Sequence, residues 1–392
     1  MSRKPGVVII GSSAAAVSAA KALRAGDPEI NISIYSEEKI LPYFRPSLSF
    51  ALAAQPPEPR PMNKPEFYTS SNIAMNLGMT AVSIDRKQKT VRFADGSKVP
   101  YQSLLLAVGA SCFVPPIPGV TLPGVLSLRD QADLERLLDF LKIPRQILLI
   151  GGGMLGLELA ATLLQMRHRV TIVECAPYLL NAQLDEAGGK FYTKLIESTE
   201  GLEIITGSAV KELSGDEHVS GATLTNGGTL DCNLAIVSAG ARSNIKLARN
   251  CGLECRHGIV VDDFMRTDDP AILAAGDCAE VQCRSFGLWE PALAQGKTAA
   301  LTILGQPEAF TCRVYGATLN VFGTKLYSIG IIGGDDCREF QDNAKNTLRQ
   351  IFFADGRVIG GYMIGDTSAM MALNRAVNEQ QTEEQAAANG LI

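Results

Sequence analysis

Apolar residues recur in short unbroken runs that end on glycine. Val7-Val8-Ile9-Ile10 runs into Gly11, and Ile147-Leu148-Leu149-Ile150 runs into Gly151. Runs of that length, closed by turn residues, read as strands buried on both faces of a parallel sheet. Each is followed by an apolar stretch at helical spacing, residues 14–23 and 154–166. A second strand comes next, residues 31–35 and 170–174. The strand–turn–helix–strand pattern thus occurs twice, and an internal duplication implies two nucleotide-binding domains. Further strands are predicted at residues 80–85, 90–93, 99–108 and 234–239. The runs Ala107-Val108-Gly109-Ala110 and Gly240-Ala241-Arg242-Ser243-Asn244 echo each other as strand ends, and the first leads into Pro115-Pro116-Ile117-Pro118, which marks a domain crossing.

From about residue 310 the pattern changes to alternation. It predicts strands at 318–322, 326–332, 347–353 and 358–364, then a helix over 366–379, hence a small α+β unit. Residues 206–230 read as turn-rich. Residues 55–65 hold five prolines and read as an irregular linker, and the polar, alanine-rich residues 380–392 read as a frayed end.

Gly151, Gly153 and Gly156 form G-x-G-x-x-G between a strand and a helix, and Glu174 ends the next strand. This is the dinucleotide fingerprint in its full context. The first glycine makes the tight turn, the second admits the pyrophosphate to the backbone, and the third lets helix and strand pack closely. The helix N-terminus offers unpaired N–H groups and a positive dipole end to phosphate. Residues 147–166 are long and apolar enough to suggest a membrane span, but three consecutive glycines and the central Glu158 argue against one. The N-terminal copy reads Gly11-x-Ser13-x-x-Ala16. Its ribose-binding acid would sit near Ser36, so Glu37 or Glu38 must serve, and the sequence leaves that choice open. Arg45 is a candidate partner for a phosphate or carbonyl of a bound dinucleotide.

The 392 residues suggest two or three domains, and 46% hydrophobic with 20% charged residues is ordinary for a globular core. A net charge of -5 with no run of like charge makes nucleic acid and anionic membranes poor partners. Met1-Ser2-Arg3-Lys4 leads directly into a strand, which predicts no secretory leader. The nine scattered cysteines then read as reduced thiols of a cytoplasmic protein. Three separated histidines predict neither a metal site nor a histidine-based triad.

These motifs, in this order along nearly the whole chain, resemble the FAD/NAD(P)-dependent pyridine nucleotide-disulfide oxidoreductases. The resemblance is to members without a redox disulfide: rubredoxin and ferredoxin reductases and the flavoprotein module of nitrite reductase. It implies an α/β fold with two Rossmann-like three-layer dinucleotide-binding domains and a C-terminal interface domain. The FAD domain would be discontinuous, residues 1–115 and 240–308, with the NAD domain at 116–239 and the interface domain at 309–392. By resemblance, Gly11, Ser12, Ser13, Ala15 and Ala16 hold the FAD pyrophosphate, Arg45 and Pro46 lie near the flavin, and Val82 joins the FAD contacts. Ala107, Val108 and Gly109 match an A-T-G turn, with Val108 in place of threonine. Gly276 and Asp277 match the motif whose acid binds the FAD ribityl chain. Pro291 and Ala292 open the helix aimed at the flavin. For NAD the matches are Gly151, Gly153, Met154, Leu155, Gly156, Glu158, Glu174 and Gly240. Glu174, with no arginine after it, favours NADH over NADPH.

Disulfide reductases of this family carry C-x4-C early in the chain, and its peroxidases and oxidases carry a single early cysteine. Here the region reads Arg45-Pro46-Ser47-Leu48-Ser49-Phe50, and the first cysteine is Cys112. Cys278 and Cys283 have the C-x4-C spacing but read as structural free thiols. Phe50 stands where many relatives carry a lysine that pairs with the glutamate matching Glu158. The expected activity is FAD-dependent electron transfer between NADH/NAD+ and an iron–sulfur or rubredoxin-type carrier. Nicotinamide and flavin would stack at roughly 3–3.5 Å, with no catalytic side chain. Alternatives are a subunit of a larger anaerobic 2-oxoacid or nitrite complex, a peroxide-forming NADH oxidase, or an NADH-sensing scaffold. The chain could act as a homodimer or within a hetero-oligomer.

Overall fold

The structure is a computed structural model that describes residues 6–334 and 336–392. The reading of residues 1–4 therefore lies outside the described residues. The strand Gly6–Ile10 pairs in parallel with Ile32–Ser36 on one side and Lys98–Leu106 on the other. Ile73–Leu77 extends the sheet beyond Ile32–Ser36, and Ile272–Ala274 joins Lys98–Leu106 in parallel from far along the chain. The predicted strands at 80–85 and 90–93 form an antiparallel hairpin continuing onto Lys98–Leu106. Val7, Val8, Ile9, Ile32, Ile34, Leu104, Leu105 and Leu106 are all buried, as their unbroken apolar runs require.

A second parallel sheet has Gln146–Ile150 at its centre, between Arg169–Glu174 and Leu234–Val237, with Leu202–Thr206 and Val125–Leu126 at its edges. The stretch at 206–230 is more ordered than its turn residues suggest. It holds most of a three-stranded antiparallel sheet, Val210–Ser214, Gly221–Leu224 and Thr229–Asp231, whose short strands are broken by Asn226, Gly227 and Gly228.

The C-terminal unit is a five-stranded antiparallel sheet. Its four expected strands are present. A fifth, Asp336–Asp342, lies at the edge and is rich in charge, which hid it from a hydrophobic reading. The expected helix is shorter, Met370–Asn378. The chain end is a correction: residues 383–388 form a helix rather than a frayed tail. Thr382 and Gln385 make a reciprocal capping box, and Ala386 and Leu391 are fully buried. No helix among the described residues is long and apolar enough to cross a membrane.

Candidate functional site

Both fingerprint turns have the backbone that their glycines predict. Gly11 has φ +103° and Gly151 φ +115°. A Cβ on Gly11 would lie 2.0 Å from the Ala107 carbonyl oxygen, and one on Gly151 would lie 2.4 Å from that of Ser238. Each turn is thus pressed against the strand end that crosses to the next unit. A Cβ on Gly156 would meet the Gly151 carbonyl at 2.3 Å, whereas Gly153 faces open space. That space explains why Ser13 is tolerated at the corresponding N-terminal position.

The helices Ala14–Gly26 and Met154–Gln165 begin at Ser13 and Gly153, with no side-chain cap and no acid in the first turn. Elsewhere, Asp130 caps Gln131–Phe140 and Asp185 caps Glu186–Ile196, each with an acid in the first turn. Met370–Asn378 also lacks a side-chain cap and a first-turn acid, so what sets the two fingerprint helices apart is the glycine turn in front of their uncapped N–H groups, an arrangement that suits a pyrophosphate.

The acid ending each second strand is treated differently. Glu174 is buried; its Oε2 accepts from the Gly152 N–H at 2.7 Å and its Oε1 from the Ala176 N–H at 2.8 Å. In the N-terminal unit that position is Ser36, which accepts from the Ser12 hydroxyl at 2.7 Å. Glu37 is exposed. Glu38 has both oxygens engaged, Oε1 with Arg45 at 2.5 Å and Oε2 with the Tyr43 hydroxyl at 2.7 Å.

Around the other FAD candidates, a Cβ on Gly276 would approach the Ala15 Cβ at 3.1 Å and the Ala292 Cβ at 3.7 Å. Gly276, Ala15 and Ala292 therefore converge, with Pro291 buried beside Ala292. The buried Gln295 accepts the Gly276 N–H at 2.8 Å. Ala107 is buried and Gly109 has φ +65°; the Val108 carbonyl accepts from the Asn244 amide at 2.9 Å. Pro46 lies in the short 3-10 turn Arg45–Ser47. Met154 is half-buried, Leu155 is 59% exposed, Gly240 has φ +100°, and Val82 is 40% exposed on Ala81–Asp85.

One participant was missed by the sequence reading. Arg129 holds Asp277 in an ion pair at 2.8 Å, donates to the Ala110 carbonyl at 2.9 Å, and offers its own carbonyl to Arg45 at 2.6 Å. It draws Glu38, Arg45 and Asp277 into one chain of contacts. Nothing in its local sequence signals this, because its partner lies 148 residues away.

Glu158 lies where the two units meet. Its carboxylate accepts from the Ser49 hydroxyl at 3.1 Å, and burial raises its pKa. All nine cysteines are free. Burial pushes the Cys278 thiol up to about 11, so it stays protonated near neutral pH, while Cys283 is exposed. Among the described residues no cluster suits a metal ion.

A sequence profile described as pyridine nucleotide-disulphide oxidoreductase matches residues 5–296, and one described as rubredoxin NAD+ reductase C-terminal domain matches residues 317–381. The rubredoxin-NAD(+) reductase of Pseudomonas putida is 34% identical over 332 residues, 81% of this chain and 86% of that one. The nitrite reductase [NAD(P)H] of Bacillus subtilis is 29% identical over 93% of this chain, which spans 46% of that protein's length. A ferredoxin reductase structure from Rhodopseudomonas palustris superposes with a TM-score of 0.90 at 27% identity, covering 99% of this chain and 98% of that one. The chain belongs to the pyridine nucleotide-disulphide oxidoreductase family.

Proposed function

We propose that this protein is an FAD-containing oxidoreductase that passes electrons between NADH and an iron–sulfur or rubredoxin-type carrier. The observation that carries this reading is the pair of uncapped fingerprint helices, each set behind a glycine turn pressed onto a crossing strand. Two such cradles suit two dinucleotides. FAD supplies the chemistry, accepting a hydride and releasing single electrons. In our reading Gly11, Ser13 and Ala16 hold its pyrophosphate, Asp277 its ribityl chain, and Arg129 positions that acid. Glu37 is the uncommitted candidate for its ribose, since Glu38 is engaged by Arg45 and Tyr43. Gly151, Gly153 and Gly156 hold the NADH pyrophosphate. Glu174 accepts one backbone hydrogen bond on each oxygen, and its Oε1 also takes the Cys175 thiol at 3.3 Å, so Oε2 keeps the freer acceptor capacity for a ribose hydroxyl. A 2′-phosphate would meet its negative charge.

The domain borders we propose are 115/116, 239/240 and 308/309. The strands of the three main sheets fall within those ranges, with Ile272–Ala274 returning to the first sheet. Nine free thiols suit a reducing, cytoplasmic location. A second reading, a module or subunit of a larger reductase, is favoured by the match to less than half of the longer nitrite reductase.

The test is steady-state turnover of the purified flavoprotein with NADH and, separately, oxidised rubredoxin, oxidised ferredoxin and oxygen. Fast reduction of a carrier supports the first reading. Reduction of dyes but of neither carrier moves the weight to the subunit reading, and fast oxygen consumption without a carrier overturns both.

A further inference from the structure

Val281 and Arg284 face each other across a two-residue turn. The Val281 N–H donates to the Arg284 carbonyl at 3.1 Å, and the Arg284 N–H donates to the Val281 carbonyl at 2.9 Å. Both residues of the turn have left-handed backbone, Gln282 with φ +50° and Cys283 with φ +61°. A turn of that kind calls for Asn-Gly, because a Cβ is disfavoured at positive φ. Here the tip carries a thiol instead, on an exposed residue. Cys278, earlier in the same run, is buried.

Cys283 borders a cavity of about 520 Å³. His257, Arg284 and Arg313 line it, and its wall holds no acid. The Arg256 Nη1 donates to the Cys283 Sγ at 3.7 Å, while its Nη2 pairs with Glu254 at 2.9 Å. The Arg284 Nη1 reaches the Sγ of Cys312 at 4.0 Å. Phe286 and Tyr315 complete the wall, their rings edge-on with centroids 5.8 Å apart. Cations of one sign set in an apolar wall focus their field and concentrate anions. None of the residues assigned to either dinucleotide cradle lines this cavity. The other two exposed thiols among the described residues are placed differently. Cys175 donates to the Glu174 Oε1 at 3.3 Å. Cys337 lies between Asp336 and Arg338, whose guanidinium is held by Asp336 and Glu383.

We propose that this cavity is a modification site: it takes an anionic low-molecular-weight disulfide, and Cys283 forms a mixed disulfide with it. Arg284 and Arg313 meet the carboxylates of the incoming molecule and bring its sulfurs to the turn. Cys283 gives its proton to solvent, and its thiolate attacks one sulfur of the disulfide. The new S–S bond forms as the old one breaks. The departing thiolate leaves with the electron pair and then takes a proton. Cys283 is oxidised, the departing half is reduced, and the incoming disulfide is the oxidant.

The experiment uses the FAD-loaded protein and three disulfides of different charge: glutathione disulfide (anionic), 2-hydroxyethyl disulfide (neutral) and cystamine (cationic). Labelling rates are read by mass spectrometry with peptide mapping. Each is divided by the rate of the same reagent with a small free thiol, which removes intrinsic reactivity. The first label maps to Cys283. At low salt the normalised rate is highest for the anion, exceeding that of the neutral reagent roughly tenfold, and lowest for the cation. The three converge at about 1 M salt. Changing Arg284→Gln and Arg313→Gln together brings anion and neutral reagent to parity, with flavin content unchanged. Cys283→Gly relaxes the turn, so it melts no lower than the unmodified protein and loses the label. A first label on Cys175, Cys312 or Cys337 overturns the proposal. So do equal normalised rates at low salt, or an advantage for the anion that survives in the double variant. Each of these outcomes leaves the dinucleotide reading untouched.

Discussion

The two βαβ units share one backbone plan and differ at the residues that choose a ligand. In the second unit, Glu174 closes a ring of hydrogen bonds with the Gly152 and Ala176 N–H groups. In the first, the equivalent pair is neutral, Ser12 donating to Ser36. The acid has moved two positions on, to Glu38, and there it meets Arg45 and Tyr43 rather than the end of its own strand. The turn geometry is fixed by steric limits that both cradles obey. Side-chain chemistry is free to diverge, and on the proposed assignment it does so because a tightly retained cofactor and a nucleotide that comes and goes ask for different contacts. The first unit is also tied into distant chain by the Ser18 hydroxyl, which donates to the Leu293 carbonyl at 2.6 Å.

The strongest way to break this comparison is to block each cradle in turn. Gly11→Ala and Gly151→Ala place a Cβ against backbone oxygen at positive φ. Strain alone costs about 1–3 kcal/mol, which is roughly 5-fold to 150-fold in cofactor affinity when the empty turn relaxes. The first variant loses flavin on purification, read from the flavin-to-protein absorbance ratio. The second keeps its flavin and reduces it with NADH only at much higher nucleotide concentration. A reversed outcome would exchange the two assignments.

Next comes Asp277→Ala, which removes one candidate FAD contact and leaves Arg129 without its ion-pair partner. Losing a hydrogen bond to a charged group costs about 1.5–3 kcal/mol. Flavin is then lost faster on dialysis, and full flavination after extended dialysis would sink the role given to Asp277. Glu174→Ala sharpens the contrast from the other side. It lowers the NADH-over-NADPH ratio of kcat/KM by roughly tenfold, as expected for removing a charged acceptor of the ribose hydroxyls. An unchanged ratio assigns selectivity elsewhere. The smallest effect belongs to Ser12→Ala, which removes one buried hydroxyl bond and costs about 0.5–1.5 kcal/mol. A lowered urea midpoint with NADH selectivity unchanged would confirm that the Ser12–Ser36 pair is structural.

The parts legible in the sequence were those fixed by local sterics. Gly11, Gly151 and Gly156 sit where a Cβ would strike backbone, and a one-dimensional pattern records that directly. Buried parallel strands were legible for a similar reason, since both faces must be apolar. Arg129 was not legible, because its value comes from a partner brought close only by the fold. The edge strand Asp336–Asp342 was hidden by its charge, and the C-terminal helix by low apolar content. Its Thr382–Gln385 capping signal was nonetheless present and went unread. The exchange of an acid for Ser36 was visible, but its consequence, Glu38 committed to Arg45, required the structure.

The central claim is that the first cradle holds FAD and the second delivers NADH to it. Anaerobic titration of the purified protein with NADH, followed in the visible flavin band, tests this most directly. The account predicts a bound flavin that bleaches fully with a stoichiometric amount of NADH. Protein purified without flavin that takes none up when FAD is added, or bound flavin that NADH leaves oxidised, would contradict it.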